Sequence, residues 1–187
     1  QASVGVHGKA ELITADLGKL KEEIMSTLDV IEKAAAITKP AVYLALCSHD
    51  RNADREALRS QLVEGGYVVL PEKDPPLTDG DFQAEVAQVL EGAKLSVHLL
   101  GASGGVTPED SDIPVVAIQN ELAVRREREG LRRVVWLPPG TVAKKAAHRQ
   151  FLEAMQKESS DFLGKAKLII GDLAKVQAAM LDELKQI

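Results

Sequence analysis

Cysteine, aromatic residues and metal-binding patterns are scarce in this sequence. Cys47 is the sole cysteine of the 187 residues, which excludes an internal disulfide framework and the paired-cysteine motifs of zinc and redox sites. The four histidines are widely spaced, so we expect no metal site. Phe, Tyr and Trp make up only 3% of the residues, so Leu, Val, Ile and Ala must supply the core.

The sequence also lacks long runs of apolar or basic residues. No apolar run approaches the roughly 20 residues that cross a bilayer, and no signal-peptide pattern follows Gln1. The net charge is −5, and the basic stretch 125–133 alternates arginine with glutamate, as is typical of a solvated helix face. We therefore expect a cytoplasmic protein with no direct nucleic-acid partner and no membrane partner. We interpret Gln1 as an internal cut, which implies sensor or regulatory domains elsewhere in a longer protein.

Residues 1–39 are predicted to form a helical extension or linker. Apolar side chains three and four residues apart form one stripe of an amphipathic helix: Leu17, Leu20, Ile24, Leu28 and Ile31. Thr38-Lys39-Pro40 ends this helix, because the residue before a proline avoids the helical conformation. The pattern leaves open whether the helix packs on the following domain or serves as a linker or oligomerisation helix.

From residue 40 to 187, short apolar runs alternate with amphipathic stretches. The runs predict five strands, at 41–47, 67–70, 95–100, 134–137 and 168–170. Strands that alternate with helices predict an α/β fold, a flavodoxin-like three-layer sandwich with a parallel sheet in the order 2-1-3-4-5. In this order the winding reverses between strands 1 and 3, and ligands favour the crevice at their carboxyl ends.

The predicted crevice brings together two short segments. The first strand is followed by Ser48, His49, Asp50 and Arg51, and the third by Gly101, Ala102 and Ser103. The first group either contacts a ligand or satisfies the backbone of its own turn. Gly101, with the following Gly104 and Gly105, lets a backbone approach a phosphate or ribose closely, although the segment is neither a dinucleotide-binding fingerprint nor a Walker loop.

Glu121 is the candidate catalytic residue. It lies on the predicted helix that follows strand 3, three residues after Ile118 and next to Leu122. We therefore expect it at the border of the apolar face, where a carboxylate is partly desolvated and suited to chemistry. From the sequence pattern alone, the alternative is an ordinary glutamate on a helix surface.

Five segments, in this order, resemble a bacterial TIR (Toll/interleukin-1 receptor) domain of the TIR-like branch in prokaryotic defence and signalling proteins. The matching segments are 42–45 with 48–51, 66–71, 95–102, 119–123 and 135–140. The resemblance covers residues 40–140 well and 145–187 more loosely.

This resemblance implies that the chain cleaves NAD⁺, as substrate and with no cofactor, to nicotinamide and ADP-ribose or a cyclic variant. The family's required glutamate matches Glu121, which would stabilise the oxocarbenium-like charge on the ribose or hold its hydroxyls. The loop from Pro71 to Gly80 resembles the loop through which TIR domains pack together. Self-association is therefore expected to complete the site.

Two departures from the family pattern keep other interpretations open. Many TIR domains carry a tryptophan four residues before the glutamate, where this chain has Ala117, and Phe82 is the nearest aromatic residue to stack on a base. These features favour a non-catalytic TIR scaffold or adaptor that acts through homotypic contacts. A third interpretation is another flavodoxin-like nucleotide enzyme, such as a relative of the nucleoside deoxyribosyltransferases.

Overall fold

The computed structural model describes residues 17–28, 39–157 and 160–187. The chain divides into two units, Gln1–Lys39 and Pro40–Ile187. In the first unit, residues 17–28 form helix α1, which contains all of the predicted apolar stripe except Ile31. Ile31 and the predicted helix end at Thr38 lie outside the described residues.

The second unit is a five-stranded parallel sheet with helices on both faces. Its strands are β1 (Val42–Leu44), β2 (Val69–Leu70), β3 (Leu95–Leu99), β4 (Arg132–Leu137) and β5 (Lys167–Ile170). Its helices are α2 (Asn52–Glu64), α3 (Asp79–Gly92), α4 (Val115–Arg126), α5 (Ala146–Met155) and α6 (Leu173–Leu184). The strand order is β2-β1-β3-β4-β5 and all neighbouring pairs are parallel, which confirms the predicted α/β fold and its topology. No helix in the described ranges has both the length and the apolar character to cross a membrane.

Two apolar cores lie on opposite faces of the sheet. Tyr43 and Val135 point to the core that contains residues of α3, α4 and α5, whereas Val42 and Val97 point to the core shared with α2 and α6. The central strand β3 is buried along its whole length, because a parallel sheet is covered on both faces. Phe82, proposed above to stack on a base, is a fully buried member of the first core. A fully buried ring has no face free to stack on a base, so Phe82 is not one of the substrate-binding residues.

β1 is shorter than the predicted strand 41–47 and ends at Leu44. Arg55 of α2 takes over its hydrogen bonding, since Nη2 donates to the Leu44 carbonyl (3.2 Å) and Nε to the Ala45 carbonyl (3.0 Å). The apolar run continues past Leu44. There, however, the guanidinium of Arg55, and not a neighbouring strand, donates hydrogen bonds to the backbone carbonyls.

Gln119 of α4 also pairs with the backbone that follows β1. Its Oε1 accepts from the Leu46 N–H (2.8 Å) and its Nε2 donates to the Leu46 carbonyl (3.0 Å). The same Oε1 accepts from the Tyr43 hydroxyl (2.7 Å), and Nε2 also donates to the Val115 carbonyl (2.9 Å). Gln119 therefore fixes the start of α4 against the end of β1.

Arg133 of β4 anchors the chain that leads into β5. Its side chain is buried and lies beside the equally buried carboxylate of Glu127, with Nε 2.8 Å from Oε1. Nη1 donates to the side-chain and backbone oxygens of Asn120, and Nη2 to the carbonyls of Phe162 and Leu163. The charge of Arg133 is tolerated inside the protein because Glu127 carries the opposite charge beside it and oxygen acceptors surround Nη1 and Nη2.

Glu127→Ala should lower the free energy of unfolding by about 3–5 kcal/mol, because it leaves the Arg133 charge buried without its partner. Urea unfolding measures the change. The matched control is Arg125→Ala, which removes the exposed Arg125–Glu121 pair and should change stability by less than about 1 kcal/mol. An equally small change for Glu127→Ala would contradict the assigned role of this pair.

Candidate functional site

A carboxylate joins the segments that follow β1 and β3. Asp50 Oδ2 accepts a hydrogen bond from the Ala102 N–H (2.9 Å) and another from Arg51 Nε (3.3 Å). A Cβ on Gly101 would lie 2.2 Å from Ser48 Oγ and 2.7 Å from Asp50 Oδ1, so only glycine fits there. The close approach predicted for this glycine is therefore made to Ser48 and Asp50 within the chain.

The surroundings of Asp50 favour its charged form. Burial alone would raise the pKa of this carboxyl group, but the nearby Ser48 hydroxyl, hydrogen bonds from the Ala102 N–H and Arg51, and the Arg51 charge lower it to about 2. Asp50 is therefore ionised throughout the physiological range. It acts as a fixed acceptor at the point where the winding of the sheet reverses.

The other residues of the segment after β1 contact neighbouring elements of the same chain. Ser48 is buried, whereas His49 is exposed and lies 3.5 Å from Asn52 through Nδ1. Arg51 binds Asp54 through Nη1 (3.0 Å), and its guanidinium lies 5.9 Å from the centre of the Trp136 ring. Arg51 therefore joins this segment to α2 and to β4.

A cavity of about 470 Å³ opens beside the end of β1, and we call it the β1 cavity. It lies between the start of α2, the loop Pro71 to Gly80 and the start of α4. The lining residues are Leu46, Cys47, Asn52, Arg55, Glu56, Asp74, Pro75, Leu77, Val106 and Val115. Its volume suits a small-molecule ligand, and its wall combines apolar side chains with a few polar groups, as ligand sites do.

Sequence reasoning missed the polar residues of the β1 cavity. Asn52 begins α2, Glu56 lies one turn later, and Asp74 lies in the loop between β2 and α3. A signal was available, because the first turn of a helix that follows strand 1 faces the carboxyl edge of the sheet. On this side of strand 1 the sequence analysis names only the four residues that directly follow the strand, Ser48 to Arg51.

Cys47 lines the β1 cavity but lacks the properties of a nucleophile. Burial raises the pKa of its thiol to about 11, although the Arg55 charge opposes this effect. Its Sγ contacts Asn52 Oδ1 at 3.5 Å. A thiol with this pKa is protonated at neutral pH, and the thiolate is the reactive form. Cys47 therefore lines the cavity without acting as a nucleophile.

Glu121 is exposed and lines neither the β1 cavity nor the second cavity described below. Its side chain is 57% exposed, and Oε1 lies 2.5 Å from Arg125 Nη2, one turn further along α4. The buried side of α4 includes Gln119 and Asn120, and their inward orientation turns Glu121 toward water. The expected partial desolvation of Glu121 is therefore absent from the single chain.

A second cavity, of about 240 Å³, lies between the starts of α4 and α5, and we call it the α4–α5 cavity. Ser103 lines it, as do Gly104, Gly105, Thr107, Asp112, Pro114, Ala117, Lys145, Ala147, His148 and Phe151. Of the predicted ligand-binding residues after β3, only Ser103 is among the lining residues; Gly101 and Ala102 are not. The segment 103–106 thus borders both cavities, because Ser103, Gly104 and Gly105 line the α4–α5 cavity and Val106 lines the β1 cavity.

The described residues hold no cluster of three or more His, Cys, Asp or Glu side chains that could bind a metal ion. His98 lies inside β3 with its Nε2 3.3 Å from Ser96 Oγ. Burial, with the nearby Arg133 charge, lowers the pKa of His98 well below its usual value. This histidine is therefore a neutral core residue.

Asp50→Asn should remove a pH-dependent part of the stability. The pKa of Asp50 in the folded protein is about 2, below the reference value of 3.8, so its contribution is present above pH 3.8 and is lost as the pH falls toward 2. The difference in urea unfolding free energy between the wild type and the variant should shrink over that interval. Asp182→Asn, at an exposed aspartate, is the control; a difference for Asp50→Asn that stays constant with pH would contradict the assignment.

Comparison with known proteins assigns no family. No family model matches the chain, and no curated protein is significantly similar to it.

Proposed function

We propose that this chain cleaves NAD⁺ at the nicotinamide–ribose bond, as the TIR-type effector domain of a larger cytoplasmic defence or signalling protein. The observation that carries this proposal is the β1 cavity at the carboxyl end of β1. It lies where nucleotides bind in doubly wound sheets, and the loop Pro71 to Gly80, which resembles the TIR assembly loop, contributes Asp74, Pro75 and Leu77 to its wall.

The reaction needs a carboxylate near the ribose, because bond cleavage leaves positive charge there. Two candidates follow from the sequence and the structure. Glu121 matches the TIR glutamate but lies on the exposed face of α4, so it would act once a neighbouring copy completes the site. Glu56 lines the β1 cavity of the single chain, with Arg55 Nη1 3.5 Å from its Oε1. We propose Glu121 as the catalytic residue, and Glu56 is the alternative that the experiment must separate.

Glu121→Gln should lower nicotinamide release at least about 100-fold, because it removes the charge that stabilises the transition state. Chromatography would follow NAD⁺ loss at high protein concentration with a crowding agent, which favours assembly. Glu56→Gln is measured in parallel, and Glu91→Gln, at an exposed position on α3, is the matched control. Loss of activity in Glu56→Gln with retention in Glu121→Gln would contradict the assignment of Glu121.

A non-catalytic scaffold is the second candidate, and the exposure of Glu121 and the burial of Phe82 favour it. Its contact surface would be the loop Pro71 to Gly80, whose end is held by a hydrogen bond from the Glu109 N–H to the Leu77 carbonyl (2.7 Å). Leu77 is anchored through its backbone, yet its side chain is 44% exposed. A fixed apolar side chain at the mouth of a cavity suits contact with another copy.

Leu77→Asp should prevent self-association, because it places a charge in an apolar contact. Sedimentation velocity over a range of concentrations measures this effect, and Val63→Asp, at an exposed apolar position on α2, is the control. Association that survives Leu77→Asp would exclude this loop as the contact. A wild-type chain that associates while releasing no nicotinamide would support the scaffold over the enzyme.

A further inference from the structure

The loop Pro71 to Gly80 forms one part of the wall of the β1 cavity, through Asp74, Pro75 and Leu77. The rest of the wall belongs to the segment after β1, to α2, and to the start of α4 with the segment before it. We propose that this loop is a gate, that the backbone of Glu109 is its latch, and that release of the latch controls access to the cavity. The inference is independent of what the cavity binds.

Glu109 joins the loop to the segment between β3 and α4. Its N–H donates to the Leu77 carbonyl (2.7 Å), and its carbonyl accepts from the Asp79 N–H (3.1 Å). Thr78 and Glu109 thus form an isolated parallel bridge, and both hydrogen bonds depend on the position of one residue. Because Thr78 and Glu109 are exposed, the bridge can open locally while the sheet and its two cores stay folded.

Few other hydrogen bonds hold the loop. Arg59 Nη1 donates to the Pro71 carbonyl (3.4 Å), and residues 72–76 make no hydrogen bond to any residue in the described ranges. Pro71, Pro75 and Pro76 restrict the backbone between the two ends, so the loop moves as a stiff piece once Glu109 releases Leu77. Pro75 is buried, and this burial favours the closed position in the absence of a ligand.

The segment that carries the latch is fixed at its base. The Gly104 carbonyl accepts from the Val116 N–H (3.2 Å), and the Val106 carbonyl accepts from the Val115 N–H (2.9 Å). These bonds tie the segment to the first turn of α4, which Gln119 holds against the end of β1. The latch therefore has a fixed base, and the loop is the part that moves.

A turn at residues 108–111 sets the position of Glu109. The Ser111 N–H donates to the Pro108 carbonyl (3.3 Å), which makes Glu109 the second residue of the turn and Asp110 the third. Asp110 has a φ of 61° and is the only non-glycine residue with a positive φ in the described ranges. A positive φ at the third position is typical of a type II turn, but side chains other than glycine rarely adopt it. The latch therefore depends on a strained residue next to it.

Glu109→Pro should open the latch, because proline suits the second position of the turn but has no N–H to donate to Leu77. Hydrogen exchange at the Asp79 amide, which pairs with the Glu109 carbonyl, measures the opening. Exchange should be at least about 5-fold faster, the effect of losing one hydrogen bond. Glu109→Ala keeps the N–H and is the matched control. Unchanged exchange at Asp79 in the folded Glu109→Pro variant would overturn the latch.

Cys47 reports on access to the cavity, because it lines the wall and is the sole cysteine of the chain. N-ethylmaleimide should label its thiol at least about 5-fold faster in Glu109→Pro than in the wild type or Glu109→Ala, in proportion to the opening. All rates are measured at one pH and without NAD⁺, so the outcome is separate from that of the proposed NAD⁺ cleavage. Equal labelling rates in Glu109→Pro and the wild type would overturn the gate.

A second pair of variants reaches the latch through Asp110. Asp110→Val should also speed labelling of Cys47, because a β-branched side chain resists a positive φ, whereas Asp110→Gly accepts it and is the matched control. Urea unfolding verifies that each variant folds. If Glu109→Pro does not fold, this pair decides: faster labelling in Asp110→Val than in Asp110→Gly supports the gate, and equal rates overturn it.

Discussion

The end of β1 is held by side chains, and the rest of the carboxyl edge depends on this arrangement. Buried backbone groups must be hydrogen-bonded, and beyond Leu44 the sheet no longer satisfies all of them. Arg55 and Gln119 supply the missing partners. Because each of these side chains belongs to a different helix, the same bonds fix α2 and α4 against the strand. The β1 cavity is the space left between the two helices and the strand end.

The chemistry of Gln119 explains why an amide occupies this position. Its Oε1 accepts two hydrogen bonds, from the Leu46 N–H and the Tyr43 hydroxyl, while its Nε2 donates to two carbonyls. Burial raises the pKa of Tyr43, so the phenol keeps its proton and acts as a donor. A glutamate of the same size lacks the two N–H donors and would add a buried charge. An apolar residue would leave three of these partners unpaired, the Leu46 N–H, the Leu46 carbonyl and the Tyr43 hydroxyl, each at a cost of about 1–3 kcal/mol.

The sequence predicted the sheet order well, because strands buried on both faces are continuous apolar runs that require no knowledge of tertiary contacts. The site was harder to predict, because polar residues inside the protein look like surface residues in a sequence pattern. Gln119 and Asn120 lie on the buried side of α4, and this orientation turned Glu121 outward. Arg133 likewise is buried in β4, although the sequence analysis placed the stretch 125–133 on a solvated helix face. In each case the deciding partner is distant in sequence, so local periodicity could not reveal it.

The exposure of Glu121 links the enzyme and scaffold proposals physically. Two unit charges 4 Å apart interact by about 1 kcal/mol in water, but by about 4 kcal/mol at the effective dielectric constant of a protein site. A carboxylate that is 57% exposed and paired with Arg125 would therefore stabilise a developing positive charge only weakly. A second copy that covers α4 would exclude water and compete for Arg125, and both effects strengthen the interaction with a bound ribose. The proposed catalysis by Glu121 therefore needs a contact that covers α4, whereas the scaffold proposal needs only the contact through the loop Pro71 to Gly80.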